Sequence, residues 1–137
     1  MRQALAAALA CAAVLGIGGR LAAHHSFAAE FDASQPVRLA GTVSRLEWRN
    51  PHAWIYLDVT DPASHIVTWA IEASSPNALA RRGIVRQSLS PGATVVVRGY
   101  RAKNGTPTAR GLEITLPDGR SLSLGSPEST AIDDPAK

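Results

Sequence analysis

The sequence is poor in cysteine and in aromatic residues. Its 137 residues include a single cysteine, Cys11, and aromatic residues make up 5% of the chain. One cysteine cannot form an intrachain disulfide, so neither a disulfide framework nor a multi-thiolate metal site can stabilise this fold. The serine-nucleophile, phosphate-loop, CxxC and HExxH patterns are also missing. Hydrolytic and nucleotide chemistry therefore have no support in the sequence.

A strong charge of one sign is absent once the N-terminus is set aside. Residues 1–23 are typical of a signal peptide, with Arg2 followed by an apolar run from Ala4 to Ile17 and then small residues up to Ala23. Cleavage there removes Arg2 and Arg20 and leaves 12 Lys and Arg against 11 Asp and Glu. This balance gives no electrostatic basis for binding nucleic acid. The sequence predicts a periplasmic protein with no membrane anchor after cleavage.

An alternative export route is a lipoprotein in which Cys11 is the modified residue. It would leave a hydrophobic region of only about seven residues before the cysteine, the bottom of the usual range. Cleavage after Ala23 is the favoured prediction, although Arg20 and Leu21 stand close to the cut.

The predicted mature chain has an N-terminal arm (24–36), a β domain (37–124) and a disordered tail (125–137). In the arm, Phe27 and Phe31 fit either one helical turn or an extended segment. Alternating apolar residues predict strands over 37–48, 53–60, 65–73, 94–101 and 109–116, with a short edge strand over 121–124. A parity change near Ser44 and Arg45 predicts a bulge in the first strand. One short helix is predicted after Ser75, which suits the N-cap position.

This order of elements predicts a mostly β fold. Three strands, a short helix between strands three and four, and two or three further strands are the order of a small OB-like Greek-key barrel of five to six strands. A small open β-sandwich is the alternative fold.

Two histidines stand at the predicted mature N-terminus. After cleavage His24 carries a free α-amine, and an N-terminal histidine can chelate a metal with that amine and its own ring nitrogen. All-nitrogen sites suit Cu(II), which stands highest in the affinity series of divalent metals. The α-amine titrates near pH 8 and imidazole near pH 6.5, so neither proton is costly to displace. His25 would be a substitute ligand or a neighbour of the site. The alternative is that both histidines merely follow the cleavage site.

His52 is the predicted third ligand. It follows Asn50-Pro51, a turn sequence between the first two strands, and Trp48 and Trp54 flank it. We expect this corner and the N-terminal histidines to meet in the folded protein. The alternative is a simple turn in which His52 caps a carbonyl. His65 begins a strand beside a turn and is predicted to be a solvated surface residue.

The tryptophans and carboxylates admit further interpretations. Trp48, Arg49 and Trp54 could form a ligand-binding face on the sheet, although such tryptophans more often belong to the core or its margin. Four carboxylates could act as general acid and base, but nothing in the sequence fixes their spacing, and most are expected to be solvated: Glu30, Asp32, Glu47 and Glu72.

The motifs resemble those of a family of short exported bacterial proteins catalogued as a domain of unknown function. The resemblance rests on His24-His25-Ser26-Phe27, Asn50-Pro51-His52, the Trp69-x-x-Glu72 pair and the segment from Ser75-Pro76 to Gly83. It covers nearly the whole mature chain and implies a periplasmic location and a small β-barrel-like fold. It implies no particular activity.

The leading functional hypothesis is a non-catalytic periplasmic copper-binding protein that carries or buffers Cu(II) through His24 and His52. The alternative is an OB-like binding module, without metal, for a peptide, glycan or protein partner. A copper-dependent oxidase or oxygenase is a weaker hypothesis, because no catalytic surface or axial tyrosine can be placed.

Overall fold

A computed structural model describes residues 27–125 of the chain. The predicted signal peptide, His24, His25 and most of the predicted tail lie outside these residues. The elements follow in the order α1 (Phe27–Glu30), β1 (Phe31–Glu47), β2 (Trp54–Thr60), β3 (Ile66–Glu72), α2 (Pro76–Arg81), a 3₁₀ helix (Arg86–Leu89), β4 (Thr94–Ala102), β5 (Thr108–Thr115) and β6 (Ser121–Ser123). In the described part of the chain no helix is long and apolar enough to cross a membrane.

The strands form one six-stranded sheet in the order β3-β2-β1-β4-β5-β6. All neighbours in this order are antiparallel. A further parallel pairing joins β3 to β5 through Ala70–Glu72 and Thr108–Arg110. Each of β1 to β5 therefore has at least two partner strands, and their pairings form a closed circuit. The mostly β prediction is confirmed, while the OB-like barrel stays a prediction.

β1 differs from its prediction at one end. It begins at Phe31, whereas the sequence predicted a strand only from residue 37. Its pairing with β4 jumps from Phe31 opposite Ala102 to Pro36 opposite Tyr100, so four residues bulge out opposite Arg101. At the other end the predicted bulge is confirmed, since the register against β2 shifts between Val43 and Arg45. α1 supports the helical alternative for the arm, because the rings of Phe27 and Phe31 stack with centroids 5.8 Å apart.

α2 begins as its sequence predicts. Ser75 has extended backbone dihedrals, and its hydroxyl oxygen accepts a hydrogen bond from the amide of Ala78 at 3.4 Å. Pro76 occupies the first turn, where its missing N–H would have had no helical partner. Leu79 is fully buried and anchors the helix to the core.

The core lies between the inward faces of the strands and is closed by residues from the connecting segments. The largest of the fully buried side chains are Ile55, Leu57, Ile71, Leu79, Ile84, Leu89, Ile114, Leu124, Val43, Val95 and Val97. Alternation along β2 places Ile55 and Leu57 in the core, so Trp54 and Tyr56 stand on the opposite face.

Candidate functional site

A row of polar and aromatic residues crosses the sheet on the face opposite the core. Each member pairs with the next across a strand boundary: Glu47, Trp54, Glu72, Arg110, Tyr100 and Pro36. Directly opposed residues place their side chains on the same face of a sheet. The row therefore brings Trp54 beside charged residues from strands far apart in the chain.

Glu72 is the buried centre of this row. Its side chain is 8% exposed, and Oε1 lies 3.1 Å from Nη1 of Arg110, whose side chain is 11% exposed. The same Oε1 lies within hydrogen-bonding distance of Nδ1 of His52. A buried carboxylate is stable when opposite charges and donors compensate for its lost hydration. Glu72 thus joins His52 to Arg110 through a single oxygen.

His52 contacts Glu72 through one of its two ring nitrogens. Its side chain is 41% exposed, and Nδ1 is the nitrogen that faces Glu72. A carboxylate oxygen accepts hydrogen bonds and cannot donate them, so Nδ1 carries the proton in this contact. In the neutral ring Nε2 then has a free lone pair. The backbone before β2 is also fixed, because the amide of Ala53 donates to the carbonyl of Ser74 at 3.1 Å.

Glu47 is the centre of a second charged cluster, which lies at the edge of the row. Its Oε1 accepts hydrogen bonds from Arg45 Nη1 at 2.6 Å and from the Tyr56 hydroxyl at 3.2 Å. Its Oε2 lies 2.6 Å from Nη2 of Arg49, an ion pair that lacks the angles of a hydrogen bond. The guanidinium of Arg45 stacks over the Tyr56 ring at 3.7 Å. Arg49 is therefore paired with Glu47.

The N-terminal arm is fixed to the same end of the sheet as Trp54. The ring of Phe27 contacts Tyr100 edge-on, with centroids 5.7 Å apart. Lys103 also holds α1, since its Nζ donates to the carbonyl of Ala28 at 2.5 Å and its amide to the carbonyl of Glu30 at 2.9 Å. A cleft of about 370 Å³ separates this arm from Trp54 and is lined by Ala29, Glu30, Phe31, Trp54, Ala102, Lys103, Asn104 and Thr108.

The other predicted residues divide between core and surface. Trp48 and Trp69 are partly buried against the core, whereas Trp54 lines the cleft. His65 is exposed, as predicted, and its Nδ1 lies 3.5 Å from Asp61 Oδ2. Of the four carboxylates, most of which were expected to be solvated, Glu72 is buried, and Arg110 and His52 compensate for its burial. Sequence reasoning missed Arg110 altogether, since an arginine in a strand is ordinarily an exposed residue.

Residues 27–125 contain no group of three or more His, Cys, Asp or Glu side chains arranged to hold a metal ion. The predicted ligands His24 and His25 lie outside these residues, so that finding does not test the predicted three-histidine site. Within the described part of the chain, His52 is the one predicted ligand that the structure places.

Comparison with known proteins identifies the family. The family described as "Family of unknown function (DUF6152)" matches residues 9–112, and the chain belongs to it. No curated protein and no solved structure matches the chain.

Proposed function

We propose that this DUF6152 protein binds Cu(II) in the periplasm, as a carrier or buffer, through an N-terminal His24 chelate and the Nε2 atom of His52. His24 would supply its α-amine and one ring nitrogen, and His52 the opposing imidazole. The observation that carries the proposal is the contact of His52 Nδ1 with buried Glu72, which leaves Nε2 as the available lone pair. Metal-binding histidines commonly donate their second ring N–H to a carboxylate in this way.

The path of the chain supports a meeting of His24 with His52. Phe27 contacts Tyr100, and from Tyr100 the row reaches Glu72 across Arg110. Two strand spacings amount to about 10 Å. Residues 24–26, when extended, also span about 10 Å. A chain that begins at His24 is therefore long enough to place its amine beside the His52 ring.

The fold that would carry this site is an OB-like barrel. The closed circuit of pairings from β1 to β5, with β3 and β5 parallel, supports it. So does the position of α2 between β3 and β4. The export that would create the His24 terminus rests on the sequence pattern of residues 1–23.

Copper titration of the exported protein tests the proposal. We expect one Cu(II) per chain, bound mainly by nitrogen ligands in its electron paramagnetic resonance spectrum. His52→Ala, or one alanine added before His24, should weaken binding by more than the roughly 10–100-fold typical of losing an outer partner of a ligand. His65→Ala is the matched control, because His65 is exposed and contacts Asp61.

The proposal fails if the protein beginning at His24 binds no Cu(II), or if binding is the same in His52→Ala as in the control. Amino-terminal sequencing of the exported protein belongs to the same experiment, because a start upstream of His24 removes the chelate.

A metal-free binding module is the second candidate, and the cleft beside Trp54 favours it. Its wall combines an indole ring with the polar residues Lys103, Asn104 and Thr108, a mixture suited to a peptide or glycan. This function predicts that Trp54→Ala abolishes capture of a periplasmic partner while chelation of metal leaves capture unchanged. Copper binding that depends on His52 with no effect of Trp54→Ala on any partner would rule it out.

A further inference from the structure

Arg110 is a buried charged residue that the proposed copper site does not use directly. It lies in β5, opposite Glu72 of β3 in the parallel pairing, and its guanidinium contacts the Glu72 carboxylate. We propose that Arg110 and Glu72 are positioning residues, which together fix the His52 ring with Nε2 directed away from the sheet. This inference rests on the proposed copper function and deepens it, since neither residue touches the metal.

The His52 ring needs such support because its own segment is irregular. His52 lies outside the strands, and Asn50 and Pro51 before it are exposed. An exposed imidazole on an irregular segment can turn about its side-chain bonds, and ordering it costs conformational entropy when metal binds. The contact with Glu72 fixes the ring before the metal binds. The loss of side-chain entropy therefore occurs during folding and does not weaken metal binding.

Glu72 can hold the ring because it is itself held. It stands within β3 and pairs with Trp54 of β2 on one side and with Arg110 of β5 on the other. Its Oε1 faces both Nη1 of Arg110 and Nδ1 of His52. The arginine therefore fixes the orientation of the carboxylate and compensates its charge in a place from which water is largely excluded.

Close packing of the backbone keeps Arg110 at this distance. A Cβ on the neighbouring Gly111 would lie 2.9 Å from a methyl carbon of Ile71 and 2.7 Å from one of Leu124. β5 can approach β3 at this point because residue 111 has no side chain. The geometry of the His52 contact thus depends on residues of β3 and β5 and on Leu124.

The test first determines the tautomer of the His52 ring in metal-free protein and then measures the affinity for Cu(II). In metal-free exported protein, at a pH high enough for imidazole rings to be neutral, long-range ¹H–¹⁵N spectra should show a single His52 tautomer with its proton on Nδ1. The double variant Glu72→Leu/Arg110→Met removes both charges together, since removal of one alone would leave the other buried and unpaired. We expect its His52 signals to average between tautomers and its Cu(II) affinity to fall by roughly 10–100-fold.

Arg101→Met is the matched control. Arg101 is also a partly buried arginine of the sheet, but its guanidinium lies over Trp69 at 5.5 Å and donates to the carbonyl of Gly105 at 2.7 Å. We expect this variant to keep both the His52 tautomer and the copper affinity of the unaltered protein.

Two results overturn the inference, and they differ from failure of the copper function. A metal-free spectrum with the His52 proton on Nε2, or with mixed tautomers, contradicts the fixed ring whether or not copper binds. Unchanged copper affinity in a folded double variant contradicts the positioning role. Absence of copper binding in the unaltered protein overturns the proposed function, whereas the fixed ring itself is still tested by the metal-free spectrum.

Discussion

Gly99 marks a point where the backbones of β4 and β5 approach closely. A Cβ at this position would lie 2.1 Å from the carbonyl oxygen of Arg110, a distance that only a backbone shift can relieve. We expect Gly99→Ala to lower the free energy of unfolding by about 3 kcal/mol, the upper part of the usual range for overpacking. Urea unfolding followed by tryptophan fluorescence measures this change.

Gly105 provides the control for that substitution. Its φ is +77°, and nothing lies within 4 Å of the Cβ it lacks. Gly105→Ala should therefore cost only the backbone strain of about 1–2 kcal/mol for an ordinary residue in the left-handed region. Equal losses in the two variants would contradict the close approach of β4 and β5.

Individual residues of the candidate site were predictable to different degrees. His52 was identified because Asn50-Pro51 places it at a corner between two strands. The burial of Glu72 was not predictable, because its partners come from the segment before β2 and from β5, and strand periodicity does not say which strands become neighbours. The position of Trp54 in a cleft was not predictable either, because that cleft forms only when the arm folds against the sheet.

Among the elements, the strands were predicted well and the arm less well. β2 to β5 begin and end within one residue of the ranges predicted from alternating apolar residues. The early start of β1 was missed because residues 32–35 interrupt the alternation where they bulge out of the ladder. The 3₁₀ helix Arg86–Leu89 was also missed, since one short turn with a single buried residue, Leu89, leaves no periodic pattern.

The bulge at the start of β1 gives the protein a pH-dependent contact. The hydroxyl of Ser34 donates to Asp32, as do the Ser34 amide and the side-chain amide of Gln35, and together they lower the pKa of Asp32 below 3.8. A lowered folded-state pKa stabilises the protein above the unfolded value, and this contribution is lost as the pH falls through the folded pKa.

Asp32→Asn should therefore remove part of the acid sensitivity of folding. Between pH 5 and pH 2, the free energy of unfolding should fall less steeply in the variant than in the unaltered protein. Urea unfolding at a series of pH values measures both slopes. Parallel slopes below pH 3.8 would show that Asp32 makes no linked contribution.

At the scale of the whole molecule, the fold extends beyond the family match. The match ends at residue 112, but Leu124 is fully buried. Its amide donates to the carbonyl of Leu112 at 2.8 Å, and its carbonyl accepts from the amide of Ser74 at 2.8 Å. The segment after β5 therefore closes the core against the start of the helical connection.

A chain that stops after Arg120 should lose much of its stability. It lacks β6 and the Leu124 side chain, and a buried leucine contributes about 2–5 kcal/mol by itself. A chain that stops after Gly125 is the control and should unfold like the full-length protein, because it lacks only residues 126–137, whose sequence predicts a disordered tail. Thermal unfolding of the three chains, monitored by circular dichroism, distinguishes them. Equal midpoints would contradict the role given to Leu124.

If the protein binds copper as proposed, the contact of Glu72 with Arg110 would also set the stage of folding at which the metal can first be bound. β1, β2 and β3 follow one another in the chain, so their pairings close short loops and are favoured early. β3 and β5 are separated in the chain by α2, the 3₁₀ helix and β4, so their pairing closes a longer loop and is expected to form later. An unfinished molecule with three paired strands holds His52 without its anchored carboxylate. Copper would therefore distinguish completed molecules from folding intermediates, and its binding rate would report the last non-local step of assembly.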